Sequence, residues 1–342
     1  MIKRILIVGL GSIGRRHLRL ARELLPAAEI AVLRHKVELI VPDGADYVFS
    51  TMDEALLFAP TLAVIANPAT FHLSVALPLA EAGVHLLIEK PLSTTSEGVE
   101  DLLKVCKKKN VVLAIGYNLR YLQSLQKFKS MLDNRMIGEL WSVRSEIGQY
   151  LPLWRPDTDY RESVSARDAL GGGVLLELSH EIDYLCWIFG DVEFVYAALA
   201  QQSDLAIDVE DSAHLILEFV ANGSEKPLVA TLSLDFIRQD RVRLCTVIGR
   251  LGSLRWDGIT GTIELYTSDT KAWRNVYSHQ TASDESYVGE WQNFISSIND
   301  CALPAITGMD GLKVLKVIEA ARISTKAKKR VTIGSDHELR ES

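Results

Sequence analysis

The sequence predicts an α/β chain in two domains: a doubly wound parallel sheet first, then an α+β domain with a mostly antiparallel open sheet. Three observations predict it. Short apolar runs alternate with helical stretches up to about residue 118, the pattern of strands in a sheet covered by helices on both faces. The stretch GLGSIG (9–14) falls directly between the first such run and the first helical stretch. Beyond Arg120 the apolar runs lengthen and alternate with period two, as strands with one solvated face do.

Taken in order, residues 5–8, 30–33, 62–66, 85–88 and 111–115 are apolar runs without clean alternation and read as buried strands. Helical stretches at 12–25, 70–82 and 94–109 lie between them. Residues 120–134 read as a helix and 139–150 as a strand, followed by a polar, aromatic loop, LPLWRPDTDYRESVSARDALGGG (151–173). A helix containing ELSHEID (177–183) comes next. HLILEF (214–219) and LVATLSLDF (228–236) represent the alternating runs between 192 and 268, and helices at 285–300 and 309–327 close the chain. The first domain is expected over 1–118 and the second over 119–342.

The 342 residues are 48% hydrophobic with a formal charge of -7, which argues against nucleic acid or an anionic membrane as a partner. The basic runs at 107–109 and 326–330 read as helix ends. Four scattered cysteines (106, 186, 245, 301), with no CxxC and no His at ligand spacing, fit a reduced cytoplasmic protein without a structural metal. No run approaches the ~18 apolar residues of a membrane span. The apolar N-terminal stretch is broken by Gly9 and Gly11 and followed by Arg15-Arg16-His17, so it reads as strand and turn rather than a cleaved leader.

Gly9, Gly11 and Gly14 occupy the three positions of a phosphate-binding turn. The first allows the tight reversal, the second lets backbone approach a pyrophosphate, and the third lets helix and strand pack closely. The N–H groups opening the helix then face the phosphates. In an NAD-binding sheet the next strand ends in an acid that takes the ribose hydroxyls. Here Arg34 stands there, followed by His35 and Lys36. A guanidinium pairs with a 2′-phosphate, so the expectation is NADP or NAD, with NADP favoured.

ELSHEID places four ionisable residues in seven positions. Wound at ~100° per residue, Leu178, Ile182, Leu185, Cys186 and Phe189 make an apolar stripe. Glu177, His180, Asp183, Tyr184 and Trp187 fall opposite. That face is either a solvated surface or the lining of a cleft in which His180 accepts a proton, tuned by its carboxylate neighbours.

Three further segments share an order with the glycine motif: NPATFH (67–72), EKP (89–91) and HEID (180–183). Together they resemble the Gfo/Idh/MocA oxidoreductases, the glucose–fructose oxidoreductase and inositol dehydrogenase family, over nearly the whole chain. GYNLRY (116–121) and WRPDTDYRE (154–162) look like a subgroup associated with bacterial surface-sugar biosynthesis. The resemblance implies an N-terminal Rossmann domain in which Gly9, Gly11, Ser12, Ile13 and Gly14 hold the dinucleotide. It places Asn67, Pro68 and His72 by the ribose and nicotinamide half, and Glu89 and Lys90 at the sheet's carboxyl edge, with a cis Lys90–Pro91 bond. Lys90, His180 and Asp183 would complete the catalytic set. Family members commonly carry an Asp four residues before the histidine. Leu176 stands there in this chain and the acid is Glu177, read as substrate-binding. Glu181 is expected to make a structural pair.

Arg120, Tyr121, Trp154, Arg155, Tyr160 and Arg161 combine cations and aromatics as a site for an anionic sugar would, or as ordinary loop packing would. Trp256, Trp273 and Trp291 read as core or interface residues, and His17 as a helix residue without a chemical task. The resulting expectation is a dehydrogenase or ketoreductase acting on a secondary hydroxyl of a sugar, polyol or nucleotide-linked sugar. Its rivals are a cofactor-binding regulator without turnover and a redox-assisted glycoside-cleaving enzyme. A homodimer or homotetramer through the open sheet is expected.

Overall fold

The computed structural model describes residues 2–35, 40–154, 156–220, 226–334 and 339–341. In chain order, β1 (Arg4–Val8), α1 (Ser12–Leu24), β2 (Glu29–Leu33), β3 (Tyr47–Phe49), α2 (Met52–Leu57) and β4 (Leu62–Ile65) come first. They are followed by α3 (His72–Glu81), β5 (His85–Glu89), α4 (Val99–Lys109), β6 (Leu113–Gly116), α5 (Gln123–Asp133) and β7 (Leu140–Gly148). After a run of short 3₁₀ turns come α6 (Val174–Glu177), α7 (His180–Phe189), β8 (Val192–Ala200), β9 (Ser212–Phe219) and β10 (Leu228–Asp235). The remainder is β11 (Val242–Gly249), β12 (Gly252–Asp257), β13 (Thr262–Tyr266), β14 (Trp273–Ser278), α8 (Glu285–Asn299), α9 (Gly308–Ala327), β15 (Val331–Ile333) and β16 (Leu339–Glu341). Two compact units result. The first is Met1–Tyr117 with Val288–Leu315, and the second is Asn118–Tyr287 with Lys316–Ser342.

In the first unit a parallel sheet runs in the order β3-β2-β1-β4-β5-β6. Its central strands are buried on both faces: Ile5 to Ile7, Leu62 to Ile65 and Leu86 to Ile88 are fully enclosed. This explains why they read as unbroken apolar runs. Strand order reverses between β1 and β4, where a doubly wound sheet opens a crevice at its carboxyl edge. The outer edge of β6 is covered from within the unit, since Ala114 bridges to Thr307 and Ile115 N–H donates to Ile306 O at 3.2 Å.

Two elements of the first unit had no counterpart in the sequence reading. Strand β3 is only three residues long. Helix α2 is a six-residue turn with a capping box, in which Thr51 Oγ1 accepts from Glu54 N and Glu54 accepts from Thr51 N at 3.0 Å. Helices α3 and α4 begin later than expected. Residues 69–71 form a 3₁₀ turn, and Gly98, at φ 75°, starts α4 in a left-handed conformation.

The second unit is built on a sheet of order β14-β13-β12-β11-β7-β10-β9-β8-β15-β16 among the described residues. Its pairings are antiparallel except that of β7 with β10. Alternate residues such as Val195, Leu215, Leu217, Leu232 and Val247 are buried on one face. Helices α5 and α7 contribute to that side. Phe128 and Tyr184 meet the buried Trp256 ring at 6.5 and 5.5 Å, and Trp256 Nε1–H donates to Ser124 Oγ at 3.1 Å. Among the described residues no helix is long and apolar enough to cross a membrane.

Candidate active site

The glycine turn joins β1 to α1, and its three glycines differ in what a Cβ would meet. Gly9 has φ 86°, and a Cβ there would meet Asn67 N at 2.8 Å. A Cβ on Gly14 would collide with the carbonyl of Gly9, so α1 and the turn pack backbone to backbone. A Cβ on Gly11 would meet nothing within 4 Å. That open space lies at the N-terminus of α1, where Gly11 is the N-cap and Ser12 is exposed. The first-turn amides are there to receive an anion. Ile13 is half-buried beside them.

Asn67 follows β4 across the strand-order switch. Its Oδ1 is buried without a hydrogen-bond partner among the described residues, as a group reserved for a ligand donor would be. The half-buried Pro68 leads into the 3₁₀ turn. An open cradle and an orphaned acceptor on one sheet edge fit a dinucleotide. Arg34, directly after β2, is half-buried, and its N–H donates to Phe49 O at 3.1 Å. Lys36 and Arg155 lie outside the described residues.

His72, expected by the ribose and nicotinamide, is engaged within the protein. It is fully enclosed, with Nε2 2.8 Å from Asn67 O and Nδ1 3.0 Å from Pro91 O. Burial pushes its pKa below the ordinary value, against the pull of those carbonyls. It braces the Asn67 turn to the Glu89-Lys90-Pro91 segment. Glu89 ends β5, and its Oε2 accepts from the backbone N–H of Lys90 at 3.2 Å. Lys90 is half-buried, and the Lys90–Pro91 peptide is cis.

In the second unit ELSHEID is not one helix. Helix α6 ends at Glu177 and α7 begins at His180. Ser179 Oγ donates back to Leu176 O at 2.9 Å, a local bond that competes with helix continuation. Glu177 and His180, both half-buried, therefore do not share one helical face. Residues expected opposite the apolar stripe divide further. Tyr184 is buried, with its hydroxyl 2.6 Å from Ser145 Oγ, and burial drives its phenol well above the ordinary pKa. Trp187 stays at the boundary, under Arg120 and Lys129 at 5.7 and 5.5 Å from its ring. Glu181 is enclosed and accepts from Arg243 Nε at 2.7 Å.

Asp183 and Arg120, expected in the catalytic and substrate sets, are joined to each other. Arg120 Nε donates to Asp183 Oδ2 at 2.9 Å, and Nη2 donates to Oδ1 at 2.6 Å. Side-chain exposures of 6% and 1% make this a buried bidentate brace, which places His180 at the start of a fixed helix. Arg161 is likewise paired with Asp159, on the surface. Trp154 and Tyr160 do come together, in a pocket also lined by Leu151, Thr158, Ser163 and Ser165. The Trp154 indole donates to Gln149 O at 3.0 Å, and the Tyr160 hydroxyl accepts from Ala206 N at 3.2 Å. Tyr121 lies half-buried at the end of a 3₁₀ turn.

One group escaped the sequence reading. In the first unit Glu290 is 2% exposed and, with His17 and Glu89, forms a cluster whose ligand atoms lie within 4.8 Å of one another. The signal was present: Glu290 sits four residues before Phe294, on the apolar stripe of α8.

A dinucleotide cradle at the switch point of a parallel sheet, followed by an α/β unit on a large sheet, defines the nicotinamide-dependent oxidoreductases. The chain belongs to the Gfo/Idh/MocA family of them. Residues 3–117 match the model of its NAD-binding Rossmann fold, and residues 129–333 that of its C-terminal alpha/beta domain. The chain is 26% identical to the myo-inositol 2-dehydrogenase of Thermotoga maritima, over 96% of its own length and 98% of that protein's. Levoglucosan dehydrogenase in complex with NADH has the same fold, with a TM-score of 0.85, 20% identity and coverage of 97% and 99%. So does the WlbA dehydrogenase of Bordetella pertussis in complex with NADH and UDP-GlcNAcA, with a TM-score of 0.80, 22% identity and coverage of 97% and 99%.

Proposed function

We propose that the protein moves a hydride between a nicotinamide dinucleotide and a secondary hydroxyl of a sugar or polyol, with Lys90 and His180 as the catalytic residues. The observation that carries this reading is Lys90 at the carboxyl end of β5, on the sheet whose switch point holds the open Gly11 cradle. Oxidation of an alcohol removes a hydride and a proton. The bound nicotinamide supplies the hydride acceptor. The Lys90 ammonium stabilises the oxygen as it becomes alkoxide-like, and the His180 imidazole takes the hydroxyl proton. Reduction of the ketone returns both by the same route.

Engagement of Arg120 by Asp183 and of Arg161 by Asp159 favours an uncharged, hydroxyl-rich ring over a uronic acid. The widely separated cysteines support a cytoplasmic location. Burial pushes Cys106 and Cys245 up to about 11 and about 12, so these thiols do no chemistry at neutral pH. The protein works as a homodimer or homotetramer through the outer face of the open sheet.

Both catalytic roles are tested together. A general base typically contributes about 10²–10⁴-fold, so His180→Asn and Lys90→Met lower turnover on that scale while cofactor affinity and melting temperature hold. Turnover within a few-fold of wild type in His180→Asn would end the mechanism. Absorbance of the reduced cofactor, followed against a panel of polyols, separates net redox turnover from a regulator or a glycoside-cleaving enzyme that leaves its cofactor unchanged.

NADP(H) is the preferred cofactor in this reading, because Arg34 stands where an acid would take the ribose hydroxyls. Dissociation constants for NADPH and NADH, measured by fluorescence for wild type and Arg34→Asp, check it. The substitution should reverse the preference, and tighter NADH binding by the wild type would refute it.

A further inference from the structure

The buried cluster in the first unit has a definite hydrogen-bond logic. The Trp291 indole N–H, which can only donate, lies 3.0 Å from His17 Nδ1. Nδ1 is therefore an acceptor, and the ring hydrogen sits on Nε2, which donates to Glu89 Oε1 at 2.8 Å. An imidazolium would set an Nδ1–H against the indole N–H. A metal at His17, Glu89 and Glu290 would need the Nε2 lone pair, which this tautomer does not offer. The cluster is not built for a cation.

Glu290 is the anomaly. Both of its carboxyl oxygens are buried with no hydrogen-bond partner among the described residues. An ionised carboxylate in that state would be unfavourable, and a second one stands close by in Glu89. Burial, and then the charge of Glu89, raises the pKa of Glu290 well above the ordinary glutamate value. Within the cluster it faces His17 from α1 and Glu89 from β5. Glu89, by contrast, receives two donors, His17 Nε2–H on Oε1 and Lys90 N–H on Oε2.

We propose that His17, Glu89, Glu290 and Trp291 form a cluster bearing a single negative charge, with Glu290 the permanently protonated member. Its task is to hold the backbone of Lys90 through Glu89. His17, Glu290 and Trp291 are then positioning residues. Trp291 sets the His17 tautomer, His17 orients Glu89, and the proton on Glu290 leaves Glu89 as the one anion. The positioning part rests on the reading of Lys90 as catalytic, whereas the proton on Glu290 does not.

Two variants test it. Glu290→Gln is isosteric with the neutral acid, so turnover and cofactor affinity at neutral pH stay within about twofold of wild type. Infrared spectra in D₂O at neutral pH show a carboxylic-acid carbonyl band in wild type that Glu290→Gln lacks. The unfolded chain gives up the Glu290 proton above its ordinary pKa while the native state keeps it. Wild type therefore loses stability as pH rises from about 5 to 8, and the melting advantage of Glu290→Gln widens over that range. Glu89→Gln can accept only one of the two donors well, so kcat falls on the order of 10²-fold with little change in KM.

Absence of the acid band would overturn the proposal. So would a tenfold loss of turnover in Glu290→Gln at unchanged melting temperature. A stoichiometric metal that copurifies with wild type and is lost from Glu290→Gln would also overturn it. Should Lys90→Met retain full turnover, the catalytic reading fails, but the infrared and melting results still decide the state of Glu290.

Discussion

Asp183 shows how much the state of a single side chain depends on what meets it. Its carboxylate is held bidentately by Arg120 with both groups nearly dry. Removing one member of such a pair strands the other charge and costs roughly 3–5 kcal/mol. Asp159 makes an equally short contact with Arg161, but at side-chain exposures of 40% and 58%. A pair in water contributes little to stability. Asp183→Asn is therefore expected to lower the melting temperature by roughly 10 °C, and Asp159→Asn by no more than about 2 °C. Circular dichroism melts of both variants check the contrast, and equal melting would contradict it. The sequence showed that Asp183 and Arg120 were chemically notable. It could not show that they meet, because 63 residues separate them and either alone looks like a ligand contact.

At the scale of elements, legibility followed the strength of the local signal. The buried parallel strands were plain because a strand covered on both faces leaves no polar alternation, as in β1, β4 and β5. The glycine turn was equally plain, since Gly9 and Gly14 have no room for a Cβ and few other residues could stand there. Strand β3 carries too few residues to set a period, although the Thr51–Glu54 capping box behind it was readable. The break between α6 and α7 was hidden. It depends on Ser179 bonding back to Leu176, while Glu210, 35 residues on, fixes the start of α6 by accepting from Leu175 N at 3.1 Å. The Glu290 cluster was legible only in part: the acid four residues before Phe294 was visible, but α1, β5 and α8 each look ordinary until the fold brings them together.

At the scale of the molecule the open sheet of the second unit raises the question of what covers its outer face. Across that face Tyr196 pairs with Ile216, Ile216 with Thr231, Thr231 with Arg144, and Arg144 with Thr246. Tyr196 and Ile216 are 46% and 43% exposed, and Leu244 and Ile248 stand half-buried on the same side of β11. At ~4.8 Å between strands and ~3.3 Å per residue, the strands from β8 to β13 present a face of roughly 800 Å². That is about the ~800 Å² each partner contributes to a standard interface. The face alternates aliphatic and aromatic groups with arginine and threonine, as an interface between folded subunits does. A second copy of the chain laid on it by a two-fold axis would cover the same patch on both subunits. Light scattering coupled to size exclusion should therefore report a dimer or tetramer at micromolar concentration. Ile216→Lys and Tyr196→Lys point away from the core, so they should give a folded monomer with unchanged circular dichroism. A wild-type chain that is a stable monomer at that concentration would refute the interface, and oligomers that survive both lysines would move it to another surface.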